Sequence, residues 1–216
     1  MPRESLAATK KRAGQIIRML RRRYPEAHCA LNHSNVHQLI VATILSAQCT
    51  DERVNIVTPT LFATYPSVEA FANADITELE QAIYTTGFFR AKAKSVQQSA
   101  KALLASFGGE IPKTLAELTR LPGVGRKTGS VILGVGFGLA EGIVVDTNVS
   151  RISELLGFTR QTDTGKIEQD LMKLIPNKDW IDFSHLMIWH GRSICKARRP
   201  VCSVCPISKL CPSASL

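Results

Sequence analysis

Acidic residues are scarce in this chain. Its 216 residues hold 18 Asp and Glu against 27 Lys and Arg, a formal net charge of +9, and that imbalance suits a polyanionic partner. Any apolar run long enough to cross a bilayer is also lacking, as are low-complexity linkers and tandem repeats, so no membrane partner and no repeat architecture are expected. No stretch alternates polar and apolar residues as a half-buried strand must, and Ile143-Val-Val145 is too short to need a sheet. An apolar signal segment is absent from the N-terminus. A reducing compartment is therefore expected, and disulfides lose ground. The length suits one large domain or two small ones.

What is present is helix after helix. Apolar spacings of three and four recur through Val36–Ala47, Val54–Phe62, Ile76–Tyr84, Ala91–Leu104, Leu115–Leu118, Ser130–Val135, Val149–Leu156, Ile167–Ile175 and Ile181–Ile188. Gly87, Gly108-Gly109, Gly142 and Gly157 stand where C-terminal caps belong, and Asp75-Ile-Thr-Glu78 resembles a capping box. The N-terminal segment collects Lys10, Lys11, Arg12, Arg18, Arg21, Arg22 and Arg23 above a stripe of Ile16, Ile17 and Leu20. It reads first as a solvated helix face.

The most informative stretch is Leu121-Pro-Gly-Val-Gly-Arg-Lys-Thr128, with Asp146 following Lys127 by nineteen residues. Gly123 and Gly125 can take positive φ and present consecutive N–H groups, and the next helix adds its unpaired donors. That makes a seat for phosphate, read through backbone and not through base sequence. Lys127 falls in the first helical turn, where a cation is disfavoured, and a neutral lysine can form a Schiff base. The plainer alternative is a phosphate contact or a solvated side chain. Asp146 leaves the apolar segment for the pattern Val149, Ile152, Leu155, Leu156. An N-cap explains it without chemistry, yet a carboxylate there could also stabilise a positive sugar-like centre.

Cys195, Cys202, Cys205 and Cys211 follow the spacing C-x6-C-x2-C-x5-C. Four thiolates this close bind metal or pair as disulfides, and the spacing leaves both an iron–sulfur cluster and zinc open. Lys196, Arg198 and Arg199 lie between the first two cysteines. A short loop pinned by ligands holds such cations in place for a DNA backbone. Cys29 and Cys49 lie in apolar surroundings and read as buried core thiols.

These segments, together with Leu45-Ser-Ala-Gln-Cys-Thr-Asp51, Gly87-Phe-Phe-Arg-Ala-Lys-Ala-Lys94 and His190-Gly-Arg192, resemble the endonuclease III family of DNA glycosylases in the helix-hairpin-helix superfamily. The resemblance covers nearly the whole chain. It implies an all-α fold of two helical domains with a cleft between them. Residues 31–139 would form a barrel domain holding the hairpin at about 115–138, and residues 1–30 plus 140–216 the cluster domain. Lys127 would then be the catalytic lysine and Asp146 the catalytic aspartate, facing the cleft from opposite sides. The four cysteines would hold a [4Fe-4S] cluster; the resemblance, not the spacing, implies iron–sulfur over zinc. Gly123, Val124, Gly125 and Arg126 would meet the DNA backbone.

Extruding a base from duplex DNA leaves a gap to be filled. Gln48 matches the family's plug, although it could be an ordinary polar residue at a helix end. Phe88 matches an inserting apolar residue, while core packing accounts for at least one of Phe88 and Phe89. The implied activity is a bifunctional glycosylase and abasic-site lyase removing oxidised pyrimidines from double-stranded DNA, as a monomer in a bacterial cytoplasm at the nucleoid. Alternatives are a monofunctional adenine or mismatch glycosylase, or a non-catalytic hairpin DNA-binding protein. One departure from the family pattern is Asn148, where many members carry histidine.

Overall fold

The computed structural model of the protein describes residues 4–215, and no strand occurs among them. Its α-helices are α1 (Leu6–Arg23), α2 (Val36–Leu45), α3 (Asp51–Thr64), α4 (Val68–Ala72), α5 (Ile76–Ala82), α6 (Phe89–Phe107), α7 (Leu115–Leu118), α8 (Arg126–Val131), α9 (Thr147–Leu155), α10 (Thr164–Leu174) and α11 (Trp180–Ser193). Most begin on a side-chain cap: Ser5, Asn35, Thr50, Ser67, Asp75, Thr114, Asp146 and Asp163 each accept a first-turn N–H. Each such cap stabilises its helix by about 1 kcal/mol. Three helices start without one: α6 on Phe88, α8 on Gly125 and α11 on Asp179.

The chain divides into two compact units, Cys29–Leu139 and the combination of Met1–His28 with Ala140–Leu216. In the first, α6 packs on α2, α4 and α5. Its core runs through Ile40, Leu61, Phe71, Leu79, Ile83, Leu103, Leu118 and Leu133. Phe71 is fully buried, with the rings of Tyr65 at 5.2 Å and His37 at 5.4 Å. Burying a side chain of that size stabilises by about 1.5–3 kcal/mol.

In the second unit, Ile16, Ile17 and Leu20 of α1 join Val149 and Ile152 of α9, Ile167 and Leu171 of α10, and Phe183 and Met187 of α11. Arg12 is more than part of a solvated face. Its guanidinium donates to the carbonyls of Leu156 (2.8 Å) and Leu210 (3.1 Å), pairs with Glu4 (2.7 Å) and covers the ring of Phe158. Arg21 likewise bridges Asp179 and Asp182.

Several local expectations need correction. Helix α4 has five residues, too few for an apolar period to show. Past α8 the chain widens into a π-turn at Ile132–Gly136, and Gly138 (φ 68°) ends it where Gly142 was expected to cap. Cys29 and Cys49 are half-buried, packed at the edge of the first unit's core.

Candidate functional site

The hairpin is built from α7, a tight turn and α8. Thr114 caps α7, its hydroxyl accepting from the Glu117 N–H and donating to the Glu117 carboxylate at 2.6 Å. The turn closes through Leu121 N–H to Leu118 O and Val124 N–H to Leu121 O. Gly123 sits at φ 81°, and a Cβ there would stand 2.7 Å from the Ser95 Cβ on α6. Both its conformation and its space require glycine. Gly125 differs from expectation: its φ of −83° is open to any residue, and no atom lies within 4 Å of where its Cβ would be. What its lack of a side chain leaves is open backbone at the start of α8, where no side chain caps the first N–H groups.

Lys127 is exposed in the first turn of α8 beside exposed Arg126, while Val124 is buried beneath the turn. Gly129, one turn on, allows the two hairpin helices to touch, since a Cβ there would meet the Leu115 side chain at 2.7 Å. Sequence reasoning passed over it, although a glycine inside a helical pattern is the signal for a close approach.

Gln48 and Phe88 share a property that composition does not hint at. Among the described residues they alone are non-glycine with positive φ, each at 50°. Such a conformation costs about 1–3 kcal/mol and persists where function or surroundings hold it. Both are exposed, Phe88 to 67%. Phe89 is instead partly buried against the core and packs on Tyr84 at 4.8 Å, so of the two neighbouring phenylalanines one is exposed and the other joins the core.

Asp146 and the cysteines belong to the other unit. Asp146 caps α9, its Oδ1 accepting the Val149 N–H at 2.7 Å. Its Oδ2 accepts from Nδ2 of Asn148 at 3.1 Å. Asn148 Oδ1 accepts in turn from Arg151 at 3.1 Å, and the other guanidinium nitrogen of Arg151 donates to Cys195 Sγ at 3.6 Å. A continuous line of side chains thus runs from the carboxylate to a cysteine. Gly191 of α11 gives Asn148 its room, because a Cβ there would stand 2.6 Å from the amide oxygen. Arg151 was not singled out from sequence, and Gly191 only as part of His190-Gly-Arg192; their roles depend on the packing of α9 against α11.

The four cysteines are free thiols lining one largely apolar cavity with His190, Ile152, Leu156 and Ile207. Four thiols around one cavity are a donor set that an iron–sulfur cluster takes. Burial, and after it the neighbouring sulfurs, pushes the thiols of Cys205 and Cys211 up, a mutual repulsion that bound metal cations reverse. His190 is buried and held down at about 4, chiefly by desolvation, so its ring is neutral. Its Nδ1 faces the Tyr24 hydroxyl at 3.0 Å and its Nε2 faces Cys205 Sγ at 3.6 Å. Against a thiolate, Nε2 must carry the proton and Nδ1 accept from Tyr24. Lys196, Arg198 and Arg199 are exposed between the first two cysteines.

Comparison with known proteins gives a consistent result. Residues 41–177 match the HhH-GPD superfamily of base excision DNA repair proteins, and residues 195–211 match the iron-sulfur binding domain of endonuclease III. The chain is 51% identical over 209 residues to endonuclease III of Synechocystis sp., covering 97% of this chain and 95% of that protein. It is 45% identical to endonuclease III of Bacillus subtilis over 87% of this chain and 86% of the relative. Among solved structures, a non-covalent endonuclease III–DNA complex and a trapped endonuclease III–DNA covalent intermediate each superpose with a TM-score of 0.89 at 41% identity, covering 95% of this chain and 96% of the other. A thermostable thymine-DNA glycosylase shares the fold, with a TM-score of 0.86 at 20% identity.

Proposed function

This chain belongs to the endonuclease III family, and from that premise we propose which of its residues perform the reaction. The protein is a bifunctional DNA glycosylase and abasic-site lyase of base excision repair. It removes oxidised pyrimidines from duplex DNA, cleaves 3′ to the lesion through a lysine Schiff base, and carries a [4Fe-4S] cluster.

Lys127 is the nucleophile in this reading. Its free amine attacks C1′ of the flipped nucleotide, the C1′–N bond breaks and the base leaves with that electron pair. The amine nitrogen loses a proton as the sugar ring opens to an imine. The imine acidifies a C2′ proton; its removal sends electrons toward C3′, and the C3′–O bond breaks with phosphate as leaving group. Water then hydrolyses the imine and frees the lysine.

Asp146 stabilises the electron-deficient sugar while the base departs. The observation that carries this role is its fixed direction: Val149 and Asn148 engage its two oxygens separately, so the charge is oriented before the substrate arrives. Gly123, Val124, Gly125 and Arg126 present the turn and the start of α8 to phosphate, with Gly125 leaving the backbone open. Phe88 enters the base stack and Gln48 offers its amide to the orphan base.

Cys195, Cys202, Cys205 and Cys211 are assigned as the cluster ligands. When bound, the cluster cross-links the final loop. Lys196, Arg198 and Arg199 then lie on a fixed loop against the DNA backbone. No described helix is long and apolar enough to cross a membrane; a cytoplasmic, nucleoid-associated setting fits the duplex substrate and the bacterial relatives.

The test is borohydride trapping on a duplex with one abasic site. Wild type should form a covalent adduct and Lys127→Ala none. An adduct in both would move the imine to another amine and overturn the assignment.

A further inference from the structure

Lys92 lies on the buried face of α6 and is only 5% exposed. Burying an ammonium is costly, and a leucine or methionine would fill the same space. Its position says what the charge is for. The Lys92 side chain donates from Nζ to the carbonyl oxygen of Thr86 at 2.7 Å, while its own backbone N–H donates to the carbonyl of Phe88 at 3.1 Å. One residue therefore grips the chain on both sides of Gly87. Thr86 is itself buried and anchored to Ile83 O through both its N–H and its hydroxyl. The segment beyond it turns through Gly87 at φ 70° into Phe88 at φ 50°, and Phe88 starts α6 with no side-chain cap.

Burial draws the Lys92 pKa down and the Cys49 thiol opposes that shift. Cys49 directly follows Gln48, the other left-handed residue, and α3 beyond it packs against the Tyr84–Thr86 turn. The same lysine thus holds the turn before Phe88 and senses the thiol next to Gln48.

We propose that Lys92 is a positioning residue for DNA insertion: its buried ammonium clamps the Thr86 carbonyl and thereby holds Phe88 in the left-handed, outward conformation needed to enter the base stack. The inference rests on the reading of Phe88 as the inserted residue. Lys92 itself does not touch DNA. Its contribution should appear only when a paired base must be displaced, and not in the chemistry at Lys127.

The experiment compares two substrates: a duplex with one oxidised pyrimidine, under single-turnover conditions, and a single-stranded oligonucleotide with one abasic site, read by borohydride trapping. Lys92→Met keeps the aliphatic stem and removes the donor. It should slow duplex excision by about tenfold or more, the size expected for losing a charged hydrogen bond. Single-strand trapping should stay within about twofold. Phe88→Ala should show the duplex defect, and Lys92→Met should add little to it in the double variant. Lys92→Gln, too short to reach the carbonyl but able to hold a water, serves if the methionine variant does not fold. A duplex defect in Phe88→Ala with none in the Lys92 variants overturns the Lys92 role alone. Equal losses on both substrates overturn it in favour of a general packing role. No duplex defect in Phe88→Ala sinks the insertion reading and this inference together.

Discussion

Replacing Asn148 with alanine removes a single link of the line that runs from Asp146 to Cys195. Asp146 Oδ2 loses its donor at 3.1 Å and Arg151 loses its acceptor at 3.1 Å, whereas the Val149 N–H still caps Oδ1. The cap on α9 therefore survives, and global stability should change little because Asn148 is only half-buried. What changes is the direction of the carboxylate. A hydrogen bond to a charged group contributes about 1.5–3 kcal/mol, and each 1.36 kcal/mol is a factor of ten in rate. Excision of an oxidised pyrimidine in a single turnover should fall by about 10- to 100-fold. Schiff-base trapping at a preformed abasic site should fall far less, because the base has already left and no charge develops with its departure. Excision within about twofold of wild type, at an unchanged urea midpoint, would refute the idea that Asn148 orients Asp146. Equal losses in both assays would move its role to DNA binding.

The two glycines of the hairpin should respond oppositely to alanine. Gly123→Ala meets both a positive φ and the Ser95 Cβ at 2.7 Å, so it should destabilise by about 2–4 kcal/mol in urea titration. Gly125→Ala meets nothing; full stability with weakened duplex binding by anisotropy is expected, and unchanged binding would contradict the open-backbone role. Gly191→Ala would push a methyl to 2.6 Å from Asn148 Oδ1, and should cost about 1–3 kcal/mol and slow excision along with Asn148→Ala. His37 is held down at about 4 from its ordinary 6.5, mainly by burial against a weaker opposing pull from Glu69. Above 6.5 the ring is neutral whether folded or not; between 6.5 and about 4 only the unfolded chain takes the proton, so stability falls as pH falls. The drop in urea midpoint from pH 7 to pH 4.5 should be smaller for His37→Gln, and an equal drop would show that His37 does not contribute.

Helix positions were legible because their signal is local. The stripe Ile16, Ile17, Leu20 is 0–2% exposed as its spacing foretells, and Asp146 and Asp75 cap the helices they precede. Short elements escaped, since α4 spans little more than one turn. Illegible features are those fixed by a distant neighbour. Gly129 and Gly191 read alike as glycines inside helices, yet one admits Leu115 and the other Asn148. Lys92 reads as one of two lysines in Ala91–Lys94 until its amine is found on the Thr86 carbonyl. Asn148 gains its meaning from Asp146 on one side and Arg151 on the other.

The interleaving of the two units imposes an order on synthesis. Residues 29–139 form one uninterrupted stretch, so this unit has all its parts once it has left the ribosome. The first helix has no such partners nearby: Arg12 reaches Leu156 and Leu210, separated from it by 144 and 198 positions. Its apolar stripe stays unsatisfied until α9, α10 and α11 have followed. The cysteine-lined cavity sits in this late-closing unit, so its lining comes together only after the other unit has all its parts.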